Sequence, residues 1–342
     1  MTCAETTVWA MMEYFGSRYA EYRPALPSRI INTLNRVSFE RQVPSKGLSI
    51  PQISYALREF GFGTRIYSRD QYEEEFGKLI SCYIESGIPV IVAVDNFDKK
   101  GKIGHAMIGV GHDKITEKHI DGLPEVKFTD TLANKRIIEA LKRKSIRLYD
   151  YDDIRKKFVF IDDNCPAYTK ATLDDPCSHY TDVEWKKCEV KYLITPLYKR
   201  IYLEAYEGKQ FLLNFLLIGP YPLQDDQEIL VRFFLTSGRS YKDKLSTNDS
   251  FSDDVKEKIL ATPLPKFIWV AELSNRGLIQ QRWANGVVLL DATEANTDLN
   301  KPLVFGAYGG KIIEPDPVSG ELKLKPIPLA DFLIYESNLT SS

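Results

Sequence analysis

Three short apolar runs constrain the fold of this chain more than any other feature of its sequence. They span residues 89–94, 105–110 and 158–161 and are rich in valine and isoleucine. Runs of this length, bounded by Gly, Pro or Asp, predict buried β-strands. Because the clearest helical patterns come before them, the sequence predicts an α+β fold in which helices pack against a sheet.

Three helices are expected before these strands. The first covers residues 2–15, starts with a capping-box pattern at Thr2 and Glu5, and is expected to end at Gly16. The others cover about 51–60 and 71–86. The apolar stripe of the first helix consists of Ala4, Val8, Trp9, Met11, Met12 and Phe15.

A change in character near residues 195–208 predicts a domain boundary. The length of 342 residues also favours two domains. We expect a first domain over 1–198, with a charged insertion over 114–156 that contains a helix at 134–142. Residues 199–342 are then a mixed, β-rich, mostly antiparallel domain. Its expected elements are strands at 229–235 and 266–273, a helix at 252–260, and a hairpin of 279–283 with 287–290 turning at Asn285-Gly286.

Composition excludes several classes of function. The net charge is −2, so the chain lacks the basic excess that neutralises phosphates, and we expect no nucleic-acid partner. The apolar run 211–218 is far shorter than the roughly 20 residues that a bilayer requires. With Glu5 interrupting any signal-peptide pattern, we expect a cytoplasmic protein and no membrane partner. Five scattered cysteines then predict reduced thiols.

Cys3 is the candidate nucleophile. A thiol attacks as its thiolate, and a helix N-terminus favours that anion through its free N–H groups and its dipole. Cys3 follows the predicted N-cap directly, and Trp9 and Met11 are expected to bury its far side. The competing interpretation is an idle thiol near a frayed chain end.

His105 is the candidate base. It follows Gly104 and opens an apolar strand, which would expose the imidazole at one end of a rigidly anchored element. The alternative is a structural histidine at the strand edge. His112, at the other end of the strand, is the second choice, and His119 and His179 lie in polar stretches typical of a surface.

Asp162 is the candidate orienting carboxylate, on a topological argument. If the strands 105–110 and 158–161 are antiparallel neighbours, the start of one lies beside the end of the other. Asp162 could then fix the imidazole tautomer of His105. Asp163 and Asn164 are close competitors, and Asp-Asp-Asn is also a common turn sequence.

These residues resemble motifs of the bacteriocin-processing (double-glycine leader) peptidases, which are papain-like cysteine peptidases. Segment 2–16 is similar to their nucleophile helix, and the resemblance extends over about residues 1–195. The further similar segments are 47–49, 57–61, 87–92, Gly104-His105 and 160–162. The resemblance implies a papain-like fold with Cys3, His105 and Asp162 as a catalytic triad. The chain departs from the family in its insertion and in the family's oxyanion-hole glutamine, because only Met1 and Thr2 precede Cys3.

The expected function is therefore a thiol hydrolase that cleaves a peptide or isopeptide bond in a peptide or protein substrate. A thiol acyltransferase and a non-catalytic binding module on the same fold are the alternatives. No metal or organic cofactor is expected, because the loose group Cys165, Cys177, His179 and Cys188 lacks the close ligand pairs of a zinc site.

Overall fold

A computed structural model describes residues 3–37, 48–129, 131, 134–219, 223, 227–295, 297, 300–316 and 319–336. The helices are α1 (Cys3–Arg18), α2 (Pro27–Asn35), α3 (Ile50–Glu59), α4 (Arg69–Tyr72), α5 (Glu75–Glu85), α6 (Glu117–Asp121), α7 (Lys135–Lys144), α8 (Ala205–Leu217), α9 (Gly238–Ser246), α10 (Asp253–Ala261) and α11 (Arg276–Gln280). Short 3₁₀ turns lie at Phe97–Lys99, Tyr151–Asp153 and Trp185–Lys187.

The strands follow the same chain order. They are β1 (Phe62–Ser68), β2 (Val90–Asp95), β3 (Gly104–His112), β4 (Arg147–Asp150), β5 (Phe158–Ile161), β6 (Thr169–Ala171), β7 (Glu189–Tyr198), β8 (Glu228–Ser237), β9 (Phe267–Ser274), β10 (Trp283–Ala284), β11 (Gly286–Asp291), β12 (Leu303–Tyr308), β13 (Lys311–Pro315), β14 (Leu322–Pro326) and β15 (Phe332–Leu333). The mixture of helices with mostly antiparallel strands is the α+β class that the sequence predicts.

The chain divides into two units, and each contains two separate stretches of sequence. Unit 1 consists of residues 1–114 and 156–200, and unit 2 consists of 115–155 and 201–342. The sequence placed the boundary between 198 and 199, and the structure places it between 200 and 201. The segment expected as an insertion of the first domain groups with unit 2 instead. The physical reason is that β4 lies in this segment and pairs in parallel with β8.

Within the described residues, unit 1 is built on a six-stranded antiparallel sheet with the order β1-β7-β2-β3-β5-β6. Helices α1, α2 and α3 share an apolar core with Ala106 and Ile108 of β3. Gly109, on the opposite face of β3, lies against Ile84 of α5, so helices cover both faces of the sheet. Strands β3 and β5 are antiparallel neighbours, which confirms the topological premise for His105 and Asp162.

Helix α1 differs from its prediction in two respects. It continues past Gly16 to Arg18. Gly16 does not end the helix but lets the backbone of Pro24 approach closely, because an added Cβ would lie 2.4 Å from the backbone nitrogen of Pro24. The rest of the stripe from Ala4 to Phe15 is buried, but Trp9 is 37% exposed. The predicted N-cap, Thr2, lies outside the described residues.

The third predicted helix is divided into α4 and α5. Glu73, between them, has a φ of 43°, in the region that non-glycine residues rarely adopt, and this interrupts the helix. The apolar periodicity that predicted one helix over 71–86 continues through the break, so the pattern alone could not locate it.

Unit 2 contains a seven-stranded sheet, within the described residues, of order β14-β13-β12-β11-β9-β8-β4. The predicted strands 229–235 and 266–273 correspond to β8 and β9, and the predicted helix 252–260 corresponds to α10. The predicted hairpin at Asn285-Gly286 is wrong. Asn275 caps α11 through the Leu278 N–H, so residues up to 280 are helical, and β11 pairs with β9 and β12.

A buried ion pair lies in the core of unit 2. Arg232 of β8 and Glu272 of β9 are each 2% exposed, and an Arg232 guanidinium nitrogen lies 2.6 Å from Glu272 Oε2. The same nitrogen donates to the Tyr335 carbonyl, and the Tyr335 N–H donates to Glu272 Oε1. Trp269 is fully buried in the same sheet. Among the helices of the described chain, none combines the length and the apolar character needed to cross a bilayer.

Candidate active site

Cys3 occupies the first turn of α1 and is half-buried. The hydroxyl of Thr7 donates to the Cys3 carbonyl at 2.7 Å and also lies 3.3 Å from the carbonyl of Ala106 in β3. One threonine therefore ties the first turn of the helix to the strand that carries His105. This contact holds together the backbones of the two elements that carry the thiol and the imidazole.

His105 stands between Cys3 and Asp162. Its Nε2 lies 2.9 Å from Asp162 Oδ1, and its ring is near enough to the Cys3 thiol for each group to shift the pKa of the other. The side chains of His105 and Asp162 are 2% and 0% exposed, so this contact is shielded from water. Because Nε2 faces Asp162, Nδ1 is the ring nitrogen available to the thiol. The structure thus brings the three predicted residues together, with His105 between the thiol and the carboxylate.

Cys3, His105 and Asp162 stabilise one another's charged forms. Burial alone would lower the pKa of His105, but hydrogen bonds and charge from Asp162 and Cys3 outweigh it and raise that pKa from 6.5 to about 9. Burial likewise opposes ionisation of Cys3, yet the hydrogen bond and charge of His105 lower the thiol's pKa. The main chain of Ala106 lowers this pKa further. Together the shifts favour a thiolate beside an imidazolium.

Asp162 accepts hydrogen bonds on both carboxylate oxygens. Oδ1 accepts from His105 Nε2 and from the Asn164 N–H, at 2.9 and 3.0 Å. Oδ2 lies 2.8 Å from the Tyr180 hydroxyl and 3.2 Å from His179 Nε2. Burial would raise the pKa of this carboxyl group, but these donors hold it far below its ordinary range. Asp162 is therefore an anion whose orientation is fixed from several directions.

Residues 178–187 supply contacts that sequence reasoning missed. Tyr180 and Trp185 stack in parallel with ring centroids 3.8 Å apart, and Trp185 meets the His105 ring edge-on at 5.2 Å. His179 was expected on the surface, but its side chain is only 13% exposed and bonds Asp162. The one signal available was the clustering of His, Tyr and Trp in a short polar segment without strand or helix periodicity.

The competing candidates take other positions. Asp163 Oδ1 is 4.0 Å from His105 Nε2, and Asn164 contributes only its backbone N–H to Asp162. His112 lies at the opposite end of β3, where its Nε2 is 2.9 Å from Glu85 Oε2. His119 accepts a hydrogen bond from the Thr116 N–H at the start of α6. In these contacts, neither of the two alternative histidines combines a neighbouring thiol with a carboxylate, as His105 does.

The four residues considered as zinc ligands separate into two groups in the structure. Cys177 and Cys188 are buried neighbours, and burial together with the neighbouring thiol raises the pKa of Cys177. Cys165 and His179 lie instead beside Asp162. Cys82 is fully buried within α5. Cys3 is thus the cysteine whose surroundings favour the thiolate.

The arrangement is chemically that of a nucleophilic thiol with a general base and an orienting carboxylate. No family model matches this chain, and no curated protein or solved structure shows significant similarity to it. The case for a function therefore depends on the geometry and electrostatics of Cys3, His105 and Asp162.

Proposed function

We propose that unit 1 is a papain-like thiol hydrolase that cleaves a peptide or isopeptide bond through Cys3, His105 and Asp162. The observation that carries the proposal is the position of His105, which lies 2.9 Å from a buried carboxylate and also lowers the pKa of the Cys3 thiol. The helix that bears the cysteine, packed on an antiparallel sheet that bears the histidine and aspartate, supports the papain-like assignment.

The first half of the reaction forms an acyl-enzyme. The Cys3 thiolate attacks the substrate carbonyl carbon and forms a C–S bond, and the carbonyl oxygen becomes an oxyanion. As the C–N bond breaks, the His105 imidazolium gives its proton to the leaving amine. Asp162 holds the ring in place and stabilises its charged form, so the proton is available at the atom that faces the reacting bond.

The second half restores the enzyme. Neutral His105 takes a proton from a water molecule, whose oxygen attacks the thioester carbonyl carbon. The C–S bond breaks, the product leaves as a carboxylic acid, and the thiolate–imidazolium pair forms again. Main-chain N–H groups at the start of α1 stabilise the oxyanion, because unpaired N–H groups and the helix dipole face a negative charge there.

Thiol reactivity tests the proposal without knowledge of the substrate. A short pulse of iodoacetamide at about pH 6 should label Cys3 well ahead of Cys82, Cys165, Cys177 and Cys188, because only the thiolate reacts. Replacement His105→Ala should remove this preference, whereas His112→Ala serves as the matched control and should retain it. Peptide mapping by mass spectrometry gives the five labelling rates separately.

Turnover is the second measurement. A library of peptide thioesters and activated esters should leave a Cys3-bound acyl group, detected as a mass increase that Cys3→Ala abolishes. Decay of this adduct in water supports a hydrolase, and decay only with an added amine would support the acyltransferase alternative. Equal labelling of all five cysteines, with no acyl adduct on any substrate, would refute the enzyme and leave a binding module.

A further inference from the structure

A second set of possible ligands lies on the side of Asp162 that does not face His105. The ligand atoms of Asp162, Cys165 and His179 all lie within 4.8 Å of one another. Asp162 is buried, and Cys165 and His179 are half-buried. The proposed reaction uses Asp162 but neither Cys165 nor His179, so these two residues have no role in it.

The two ring nitrogens of His179 have different surroundings. Nε2 lies 3.2 Å from Asp162 Oδ2, whereas Nδ1 is buried without a hydrogen-bond partner among the described residues. Because the two nitrogens of an imidazole point in nearly opposite directions, Nε2 is the one that can share a cation with Asp162. The neutral ring then carries its one proton on Nδ1 and coordinates the ion through Nε2.

The donor set selects the kind of cation. Thiolate, imidazole and carboxylate together suit zinc and similar transition ions, whereas calcium and magnesium prefer oxygen ligands only. Zinc bonds of about 2.0–2.3 Å imply separations of roughly 3.3–3.8 Å between ligand atoms. The Asp162–His179 pair is already at 3.2 Å, and the separations to Cys165, which are at most 4.8 Å, need to shorten by no more than about 1.5 Å. The neighbouring residues 163, 164 and 166–168 are exposed, and an ion can therefore reach the set from solvent.

We propose that Asp162, Cys165 and His179 form a binding site for zinc or a similar divalent transition ion. Three protein ligands leave the fourth tetrahedral position to water, which is typical of an exchangeable site. On binding, the Cys165 thiol loses its proton to solvent and its sulfur bonds the metal. If the proposed function holds, the ion is also an inhibitor, because it competes with His105 for the Asp162 carboxylate.

Cobalt(II) provides a test that does not require enzymatic activity. The full-length protein, freed of metal with a chelator and then desalted, should show thiolate-to-cobalt charge-transfer absorption when titrated with Co²⁺. Cys165→Ser should abolish this absorption and His179→Gln should weaken Co²⁺ binding at least tenfold, while Cys3→Ser should leave it intact. Circular dichroism confirms that each variant is folded, and Cys82→Ser is the matched cysteine control.

Several outcomes would overturn the site. Absorption that disappears in Cys3→Ser but persists in Cys165→Ser would place the ion between Cys3 and His105. Loss in Cys188→Ser would place it at the Cys177–Cys188 pair. Absence of the absorption in the folded wild-type protein at tenfold excess of Co²⁺ would also refute the site.

The inhibitory consequence has its own measurement. Zinc should slow alkylation of Cys3 in the wild-type protein and in Cys188→Ser, but not in Cys165→Ser. If no substrate is ever turned over, the proposed function fails while the cobalt result still stands. If turnover is found but cobalt does not bind at Cys165, only the metal site fails, so the two failures are distinguishable.

Discussion

Replacement of Asp162 by asparagine should move the titration of His105 toward neutral pH. The contacts with Asp162 and Cys3 raise the pKa of His105 from 6.5 to about 9, against the effect of burial. This difference corresponds to roughly 3 kcal/mol, or about 300-fold in proton affinity. At about pH 7.5 the imidazole is about 97% protonated with the raised pKa and about 9% protonated with the ordinary one.

Asp162→Asn should remove most of the rise in the pKa of His105, because Asp162 is the largest contributor to that rise and burial of the ring remains. We expect the pKa of His105 to fall by at least one unit in Asp162→Asn, which is a tenfold loss of proton affinity. Asp163→Asn is the matched control. Its carboxylate lies 4.0 Å from the same nitrogen and is 27% exposed, so solvent screens its effect and the pKa should change little.

Long-range ¹H–¹⁵N spectra of histidine-labelled protein give the measurement, with a chelator present throughout. The chain has four histidines, so His105→Gln assigns the signal. The raised pKa of His105 in the folded state also stabilises the fold. This contribution is fully present below about pH 6.5 and is lost as the pH rises through about 9. The stability advantage of the wild type over Asp162→Asn should therefore shrink across that interval. A wild-type His105 that titrates near 6.5, or equal shifts in both asparagine variants, would refute the reasoning.

Three further predictions concern other contacts. Tyr180→Phe removes one donor from Asp162 and should raise the pKa of that carboxyl group, measured by ¹³C NMR, whereas Tyr168→Phe, at an exposed position, should not. A protein that ends at residue 200, with residues 115–155 replaced by a short Asn-Gly turn, should retain a folded unit 1, measured by circular dichroism. The cut ends are adjacent, because the Asp113 N–H bonds the Lys157 carbonyl at 2.9 Å. Aggregation would show that unit 1 needs unit 2. Arg232→Met should lower the free energy of unfolding in urea by about 3–5 kcal/mol by leaving Glu272 buried without its cation, and a loss below about 1 kcal/mol would contradict this.

The sequence was informative where local chemistry and sheet topology point to the same residue. The apolar run after Gly104 predicts a strand, and the antiparallel pairing of β3 with β5 places Asp162 near its start. The position of Cys3 in the first turn of α1 follows from the apolar period of that helix. Each of these inferences uses only short-range periodicity and one neighbouring strand.

Other contacts depend on long-range packing that periodicity does not encode. Tyr180 and Trp185 reach the site through a segment whose only regular element is a 3₁₀ turn, so no pattern aligns them with His105. Strand β4 has four residues and becomes a strand through its pairing with β8. Asn285-Gly286 is a favourable turn sequence, but the capping of α11 by Asn275 overrides the expected hairpin.

The division of unit 2 into two separate stretches has a consequence for synthesis on the ribosome. Asp150, the last residue of β4, and Glu228, the first residue of β8, are 78 positions apart, which at about 5–20 residues per second is a delay of roughly 4–16 s. During this time Ile120, Leu123 and Tyr149 lack the partners Leu230 and Ile279 that bury them in the finished protein. The nascent chain therefore exposes an apolar surface after most of unit 1 has been made, and this surface is where a chaperone that recognises apolar segments would bind.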